Sequence, residues 1–278
     1  MLLVRLVASP SLAPSASDAL HRRFAADGSL LACVSDGDVG ATFVSIKATD
    51  DELHATVKML AETIGASAAV GRAFRVDLQH PDAGAISDEA LRAVAVELHG
   101  ALRASIHVTR CSVAAGRWTS MRRMGWGADG LVLGDSAPTL PFGGSESSGV
   151  VIEAGAPTVI AKATLTSGMT IAQMKGIAAV CGGPTSGLVE AGVYPIGLLR
   201  DGVAVFVLEL GDPRRTPLHR VLALLEIEGR RFGSRLGLGA LVSDAPLELF
   251  LDTLAGHMGL PISRGQVIET HLAPAPSR

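Results

Sequence analysis

Three stretches of the sequence carry polar side chains at every second position, a spacing that could build a site for acid–base chemistry. Successive side chains of a β-strand point to opposite faces of its sheet, so the polar residues of each stretch share one face. The first stretch contributes Arg75 and Asp77, the second contributes His107, and the third contributes Lys162 and Thr164. The two cations could hold a carboxylate, while Asp77 and His107 exchange protons near neutral pH. If the three faces meet, they predict a site for a small carboxylated substrate.

The same alternation has a simpler explanation, which stays open at this stage. An antiparallel sheet with one face in water shows it too, and such a sheet needs no ligand. His80 follows the first stretch directly and is a third candidate for catalysis, with an ordinary loop residue as the alternative. Asp36-Gly37-Asp38 stands between two predicted strands, where a hairpin turn is favoured over a ligand-facing loop.

The elements that must position these residues follow the same order in both halves of the chain. Apolar periodicity predicts strand, helix, strand, strand, helix, strand, helix, strand, twice. The first half has predicted strands at 2–8, 30–35, 42–47, 73–78 and 105–111 and helices at 15–26, from 50 and from 87. The second half has predicted strands at 158–165, 187–199, 203–210, 236–242 and 266–272 and helices at 170–181, from 216 and at 246–258. Ser87 and Thr216 are the predicted N-caps of two of these helices.

This order predicts the fold class. Two adjacent strands joined by a short turn and flanked by helices indicate a split-βαβ, ferredoxin-like unit. We therefore predict an α+β protein with two such subdomains, at 1–134 and 150–278, joined by a linker at 135–149 that is rich in Gly, Ser and Pro. A single α+β sheet whose repeated order is coincidental is the alternative. The apolar run at 203–210 predicts a strand buried on both faces, either in the core or in a homodimer contact.

Composition narrows the classes of partner and compartment. The formal net charge is -3, and the sequence contains no long run of like charges, which argues against nucleic acid or lipid surfaces as partners. Charged residues, Gly or Pro interrupt every apolar stretch before the roughly 18 residues that a membrane helix requires. The 3 cysteines lie far apart, which suits neither a disulfide framework nor a zinc site and favours a reducing compartment. We expect a cytoplasmic protein without a metal, acting on a small molecule.

Several segments resemble the glutamate formimidoyltransferases. The last third contains Thr216-Pro217-Leu218-His219, Gly233-Ser234-Arg235 and 247–252, in the order of that family's Thr-Pro-Leu-His helix, Gly-Ser-Glu strand and final helix. The segment at 182–188 resembles the family's glycine-rich entry to a strand, and 148–156 resembles the start of its second subdomain. The resemblance extends thinly through the first half and is most specific in the last third.

The resemblance implies two α/β subdomains that face each other across a folate-holding tunnel or cleft. It also implies transfer of a formimidoyl group between glutamate and tetrahydrofolate, so a tetrahydrofolate derivative is the implied cofactor. The family's catalytic histidine corresponds here to Ser67 or a neighbour within 65–71, and the glutamate of its Gly-Ser-Glu motif corresponds to Arg235. Ser67 and the nearby Arg72 are further candidates for contact with the substrate. Losing a general acid–base group lowers a rate by about 10²–10⁴-fold, so we expect the family's own reaction to be lost or reassigned.

Three functional hypotheses follow. The first is an enzyme of this fold with reassigned chemistry on a folate-like or small carboxylated substrate, with Arg75, Asp77, His107 and Lys162 lining its site. The second is a non-catalytic homologue that binds a small molecule or a partner. The third is a folate-dependent formimidoyl or formyl transferase that uses a displaced histidine, His80.

Overall fold

A computed structural model shows a mixed α+β protein with two main sheets and a two-stranded hairpin among its described residues. The structure describes residues 1–69, 72–80, 86–110, 124–127, 130–133, 140, 149–155, 158–166, 168–182, 186, 188, 190–213, 215–237, 239–243, 245 and 247–258. Within them, no helix is long and apolar enough to cross a membrane.

The first sheet has six strands. In chain order they are β1 (Leu2–Ser9), β2 (Leu30–Asp36), β3 (Ala41–Ala48), β4 (Ala73–Gln79), β5 (Ser105–Arg110) and β8 (Gly149–Gly155). Their order across the sheet is β2-β3-β1-β4-β8-β5. Helices α1 (Pro14–Ala25), α2 (Leu53–Ala69) and α3 (Asp88–Leu102) accompany this half. A hairpin of β6 (Met124–Gly127) and β7 (Gly130–Leu133) lies between β5 and β8 in the sequence.

The second sheet has four strands. They are β9 (Val159–Leu165), β10 (Ala191–Leu198), β11 (Ala204–Leu210) and the short β12 (Ala240–Leu241), in the order β10-β11-β9-β12. Helices α4 (Ile171–Cys181), α5 (Leu218–Arg230) and α6 (Leu247–Met258) accompany this half. The predicted strand at 266–272 lies outside the described residues.

The two sheets share one topology. In each, the first strand pairs antiparallel with the third and with the fourth, and the second strand lies at the edge beside the third. This is the split-βαβ connection that the repeated order of elements predicts. The alternative of a single sheet is therefore wrong for the described residues.

The strand β8 is the last strand of the first sheet along the sequence. It is parallel to both β4 and β5 and pairs with each of them, so it lies inside the first sheet. The change from one sheet to the other therefore comes after Gly155. The predicted linker at 135–149 lies largely outside the described residues, and the division into subdomains stays a prediction.

Each sheet buries one face against helices and turns the other towards its counterpart. The helix-covered face of the first sheet carries residues such as Val4, Val76 and Ile152 in one apolar cluster with α2 and α3. The corresponding face of the second sheet, which includes Phe206 and Leu208, packs on α4 and α5. A third apolar cluster joins side chains of both sheets, so the layers run helix, sheet, sheet, helix.

The alternation of strand residues explains why polar groups lie between the sheets. Even-numbered residues of β1 and β4 are apolar and meet the helices, so the odd-numbered residues must face the second sheet. In β9 the even-numbered residues take that position, because Ala161 and Ala163 belong to the helix-side cluster. We call the set of side chains between the sheets the inter-sheet layer. All seven residues of β11 are buried, which confirms the prediction of a strand buried on both faces.

Candidate functional site

The inter-sheet layer contains an ionic network that links the two halves. Arg75 donates from Nη1 to Oε1 of Glu209 at 2.6 Å, and its Nε lies 3.0 Å from Oδ1 of Asp77. The side chains of Arg75 and Glu209 are both 0% exposed. Arg75 comes from β4 and Glu209 from β11, so this fully buried ion pair connects one sheet to the other. Sequence reasoning expected Arg75 beside Asp77 but did not identify Glu209.

The hairpin β6–β7 contributes an aromatic side chain to the same network. Trp126 donates from Nε1 to the same oxygen of Glu209 at 2.8 Å. Its ring centroid lies 6.0 Å from that of Phe43 and 6.0 Å from Cζ of Arg75. A cation beside an aromatic face and a buried indole N–H that has an acceptor are both stabilising. Trp126 therefore fixes the position of Glu209 relative to the first sheet.

A second link between the halves surrounds Thr158, which directly precedes β9. Arg5 donates from Nη2 to the Thr158 carbonyl oxygen at 2.8 Å and from Nη1 to its hydroxyl oxygen at 3.1 Å. Gln79 donates to the same hydroxyl oxygen and accepts a hydrogen bond from the Thr158 backbone N–H. Arg5 also lies 3.7 Å from Asp77, which places Asp77 between two guanidinium groups.

Lys162 forms the third link, nearer to solvent. Its Nζ lies 2.7 Å from Oδ2 of Asp36 and 2.9 Å from Oδ2 of Asp38, and the three side chains are 16%, 12% and 41% exposed. Burial of the ammonium group lowers the pKa of Lys162, but the hydrogen bonds to the two carboxylates outweigh that effect, so its pKa is raised. Asp36 also accepts hydrogen bonds from the backbone N–H groups of Asp38 and Val39, as expected for the predicted turn.

The predicted acid–base pair is not brought together. Asp77 lies on β4 and His107 on β5, and β8 runs between these strands. Two strand spacings amount to about 10 Å, so a direct proton exchange between the two residues does not fit this arrangement. The residue that lies between them is Glu153, which is in register with Asp77 and two residues beyond the partner of His107. All three residues are at most 3% exposed.

The remaining predicted residues lie in different surroundings. Thr164 is buried on the same strand as Lys162, and His80 is half-buried where β4 ends, with its backbone N–H bonded to the carbonyl of Gly155. Arg72 is half-buried and donates to the carbonyl oxygen of Pro10 at 3.2 Å. Ser67 lies in α2 after a kink at Gly65, and its side chain is outside the described residues.

Sequence reasoning missed several members of the network, and each carried a recognisable signal. Glu209 is a carboxylate inside an otherwise apolar strand, and Arg5 is a cation in the apolar first strand. Since a charged residue in a buried strand needs a partner, each of these positions predicts another buried charge nearby. Glu153 was hidden in the segment that family resemblance assigned to the second subdomain.

The side chains of the inter-sheet layer hold one another in place, and its cations already pair with carboxylates of the same chain. Arg5, Arg75 and Lys162 each contact a carboxylate of this chain. A carboxylate-bearing ligand such as a folate would therefore have to displace one of these partners. Lys162 is the most accessible of the three, because the guanidinium side chains are fully buried. Among the described residues, no group of three or more potential metal ligands occurs.

Comparison with known proteins identifies no family. No protein-family model matches this chain, and a search of curated proteins gives no match.

Proposed function

We propose that this protein binds a small carboxylated molecule at the edge of the inter-sheet layer, with Lys162 as the group that receives the carboxylate. The observation that carries the proposal is the contact of Lys162 with two carboxylates at 2.7 and 2.9 Å. One of these partners, Asp38, is 41% exposed and can therefore exchange with a carboxylate from solution. A ligand would replace the contact made by Asp38, and the ammonium group would again contact two carboxylates.

The buried polar groups behind Lys162 support the same location. Burying charges costs free energy, and replacing a buried ion pair by apolar side chains is often neutral or stabilising. A layer that contains Arg5, Arg75, Asp77, Glu153 and Glu209 is therefore more polar than packing of two sheets requires. Retained buried charges of this kind are typical of functional sites. The resemblance to formimidoyltransferases supports a small carboxylated ligand between two such sheets, and we expect binding to take place in the cytoplasm.

Isothermal titration calorimetry with tetrahydrofolate derivatives, glutamate and small dicarboxylates tests the proposal. Lys162→Met should abolish binding because it removes the receiving cation. Asp38→Asn should strengthen binding, because it removes the internal competitor and leaves the lysine in place. Glu52→Gln is a matched control, since this exposed carboxylate hydrogen-bonds only within its own turn at Thr49 in the described contacts. Binding that weakens in Asp38→Asn, or survives unchanged in Lys162→Met, would contradict the proposal.

A second candidate function is catalysis at the same junction. Asp77 and Glu153 lie in register on adjacent parallel strands, and both are 3% exposed. Carboxyl side chains serve as general acids and general bases in enzymes, so this pair could supply both roles. His107 lies on the next strand of the same face. This second candidate corresponds to the hypothesis of a divergent enzyme of the formimidoyltransferase fold, in which carboxylates take over the role of the family's catalytic histidine.

Turnover assays separate the candidates. We would measure formimidoyl and formyl transfer between glutamate and tetrahydrofolate derivatives, using wild type, Glu153→Gln, His107→Ala and His80→Ala. Activity lost only in His80→Ala would favour a folate-dependent transferase that uses a displaced histidine. Activity lost in Glu153→Gln or His107→Ala would favour the reassigned enzyme. Ligand binding without turnover in the wild type would leave the non-catalytic function as the supported one.

A further inference from the structure

The end of β9 pairs with a segment that carries a second cation, Arg235. The backbone N–H of Thr166, directly after β9, donates to the carbonyl oxygen of Arg235 at 2.8 Å. The backbone N–H of Arg235 donates in turn to Oγ1 of Thr166 at 3.0 Å. Two residues further along, the N–H of Gly237 donates to the carbonyl oxygen of Thr164 at 2.8 Å. The register is therefore antiparallel, with Arg235 opposite Thr166 and Gly237 opposite Thr164.

Arg235 lies on the same face of the second sheet as Lys162. Leu165 and Leu236 are opposite each other in this pairing, and both belong to the apolar packing on the helix side. Because successive strand residues point to opposite faces, the residues on either side of these two leucines face away from the helices. That is the side from which Lys162 enters the inter-sheet layer. The second sheet therefore presents two cations on one face.

Small and hydroxyl-bearing residues occupy the strip of this face between the two cations. Thr164, which is 8% exposed, comes between Lys162 and Thr166 along the strand. A Cβ atom at Gly237 would lie 2.6 Å from Oγ1 of Thr164, which places both residues on one face. Ala240 is the cross-strand partner of Lys162. In the described part of the chain, the strip is therefore narrow in side chains and carries two hydroxyl groups.

The two cations differ in exposure and are separated by a defined distance. The side chain of Lys162 is 16% exposed and contacts two carboxylates. Arg235 is exposed, and no carboxylate of the described residues contacts its side chain. Four residues of strand separate Lys162 from Thr166, so the backbone of Arg235 lies about 14 Å from that of Lys162 along the strand. A molecule with a negative charge at each end of an extended chain matches this arrangement.

We propose that the ligand of the Lys162 site is an elongated dicarboxylate, and that Arg235 binds its second carboxylate. This inference rests on the function proposed above, in which Lys162 receives the first carboxylate in place of Asp38. The middle of the ligand then lies along Thr164 and Gly237. A guanidinium group offers two parallel N–H donors to a carboxylate, so Arg235 selects long dicarboxylates over monocarboxylates and over short dicarboxylates.

Isothermal titration calorimetry of the full chain with matched pairs of ligands tests the proposal. Sebacate and its monomethyl ester have the same carbon chain, but the ester lacks the second charge. Sebacate should bind about fivefold more tightly than the ester, as expected for one additional ion pair that solvent reaches. Succinate and its monomethyl ester should show no such preference, because succinate is too short to contact both cations.

Variants of Arg235 assign the preference to this side chain. Arg235→Met should remove the preference for sebacate and leave the affinity for the monomethyl ester unchanged. Arg235→Glu should reverse the preference, so that the ω-amino acid of the same chain length binds more tightly than sebacate. Arg231→Met is the matched control, because Arg231 is 66% exposed and pairs with Glu228 at the end of α5. The wild-type preference should persist in that control.

The outcomes separate this inference from the function on which it rests. Equal affinities of sebacate and its ester for the wild type would overturn the inference and leave the Lys162 site in place. A preference for sebacate that persists in Arg235→Met would overturn it in the same way. If neither compound binds the wild type, or if both bind Lys162→Met as tightly as the wild type, the proposed function fails and this inference fails with it.

Discussion

Replacing Arg75 by methionine tests the buried ion pair between the sheets. Met has a similar length and an apolar end, so the change removes the charge with little loss of volume. It removes the 2.6 Å contact of the guanidinium group with Glu209 and its 3.0 Å contact with Asp77. Asp77 and Glu209 would then share a layer in which both residues are at most 3% exposed.

The expected cost follows from burial. Removing one partner of a fully buried ion pair typically destabilises a protein by about 3–5 kcal/mol, because an uncompensated charge is left in a medium of low polarity. Glu209→Gln should cost less than Arg75→Met, because Arg75 keeps Asp77 and the amide oxygen can still accept from Trp126. The double variant should lose less than the sum of the two, by about 0.5–3 kcal/mol.

Urea denaturation at neutral pH, monitored by far-UV circular dichroism, measures these free energies of unfolding. Arg230→Met is the matched control, since Arg230 is 66% exposed and pairs with Glu226 within one helix. Such a pair contributes about 0.2–0.5 kcal/mol. A cost for Arg75→Met as small as that of the control would refute the burial argument. Strict additivity in the double variant would refute direct coupling between Arg75 and Glu209.

Three further predictions use other parts of the chain. Burial raises the pKa of Glu190 despite the nearby Arg215, so the folded state favours the protonated acid. The free energy of unfolding therefore falls as the pH rises from the unfolded-state pKa through this raised value. Glu190→Gln should become more stable relative to the wild type between pH 4 and pH 7 in urea titrations, and a stability difference that shrinks over this range would contradict the prediction. Ser87→Ala should cost about 1 kcal/mol in the same assay, because the Ser87 side chain accepts a hydrogen bond from the N–H of Ala90 at the start of α3, and an unchanged midpoint would show that the cap is dispensable. Burial raises the pKa of Cys181 to about 12, so a thiol reagent at pH 8 should modify it only after unfolding, and rapid modification of native protein, read by mass spectrometry, would contradict its 0% exposure.

Local patterns in the sequence predicted the features that depend on neighbouring residues, such as a helix cap and the two faces of a strand. Ser87 caps α3 as expected, and the period-two alternation placed Arg75 and Asp77 on one face with Phe74, Val76 and Leu78 on the other. The predicted N-cap Thr216 precedes the observed N-cap of α5 by one residue. The observed cap is Pro217, whose side chain cannot accept a hydrogen bond. These signals are short-range, and one or two residues of error at a helix end is ordinary.

Long-range pairing was beyond the reach of the same patterns. The sequence places 149–155 after a long connection, and an apolar strand gives no indication of which sheet it will enter. Because β8 lies between β4 and β5, Asp77 and His107 are not adjacent as expected, and Glu153 lies between them. The partner of Arg75 was missed for a related reason: Glu209 lies 134 residues further along the chain.

The position of β8 also sets an order for assembly during translation. Strand β5 is paired with β8 in the first sheet, and its other described backbone pairing is a bridge from Ile106 to Leu140. Both partners leave the ribosome well after β5, a delay on the order of seconds at typical rates of elongation. In a nascent chain that ends before Gly149, one edge of β4 therefore has no partner strand, and β5 lacks the strand that joins it to the sheet. We expect the amino-terminal half to complete its sheet only when synthesis has already entered the second half.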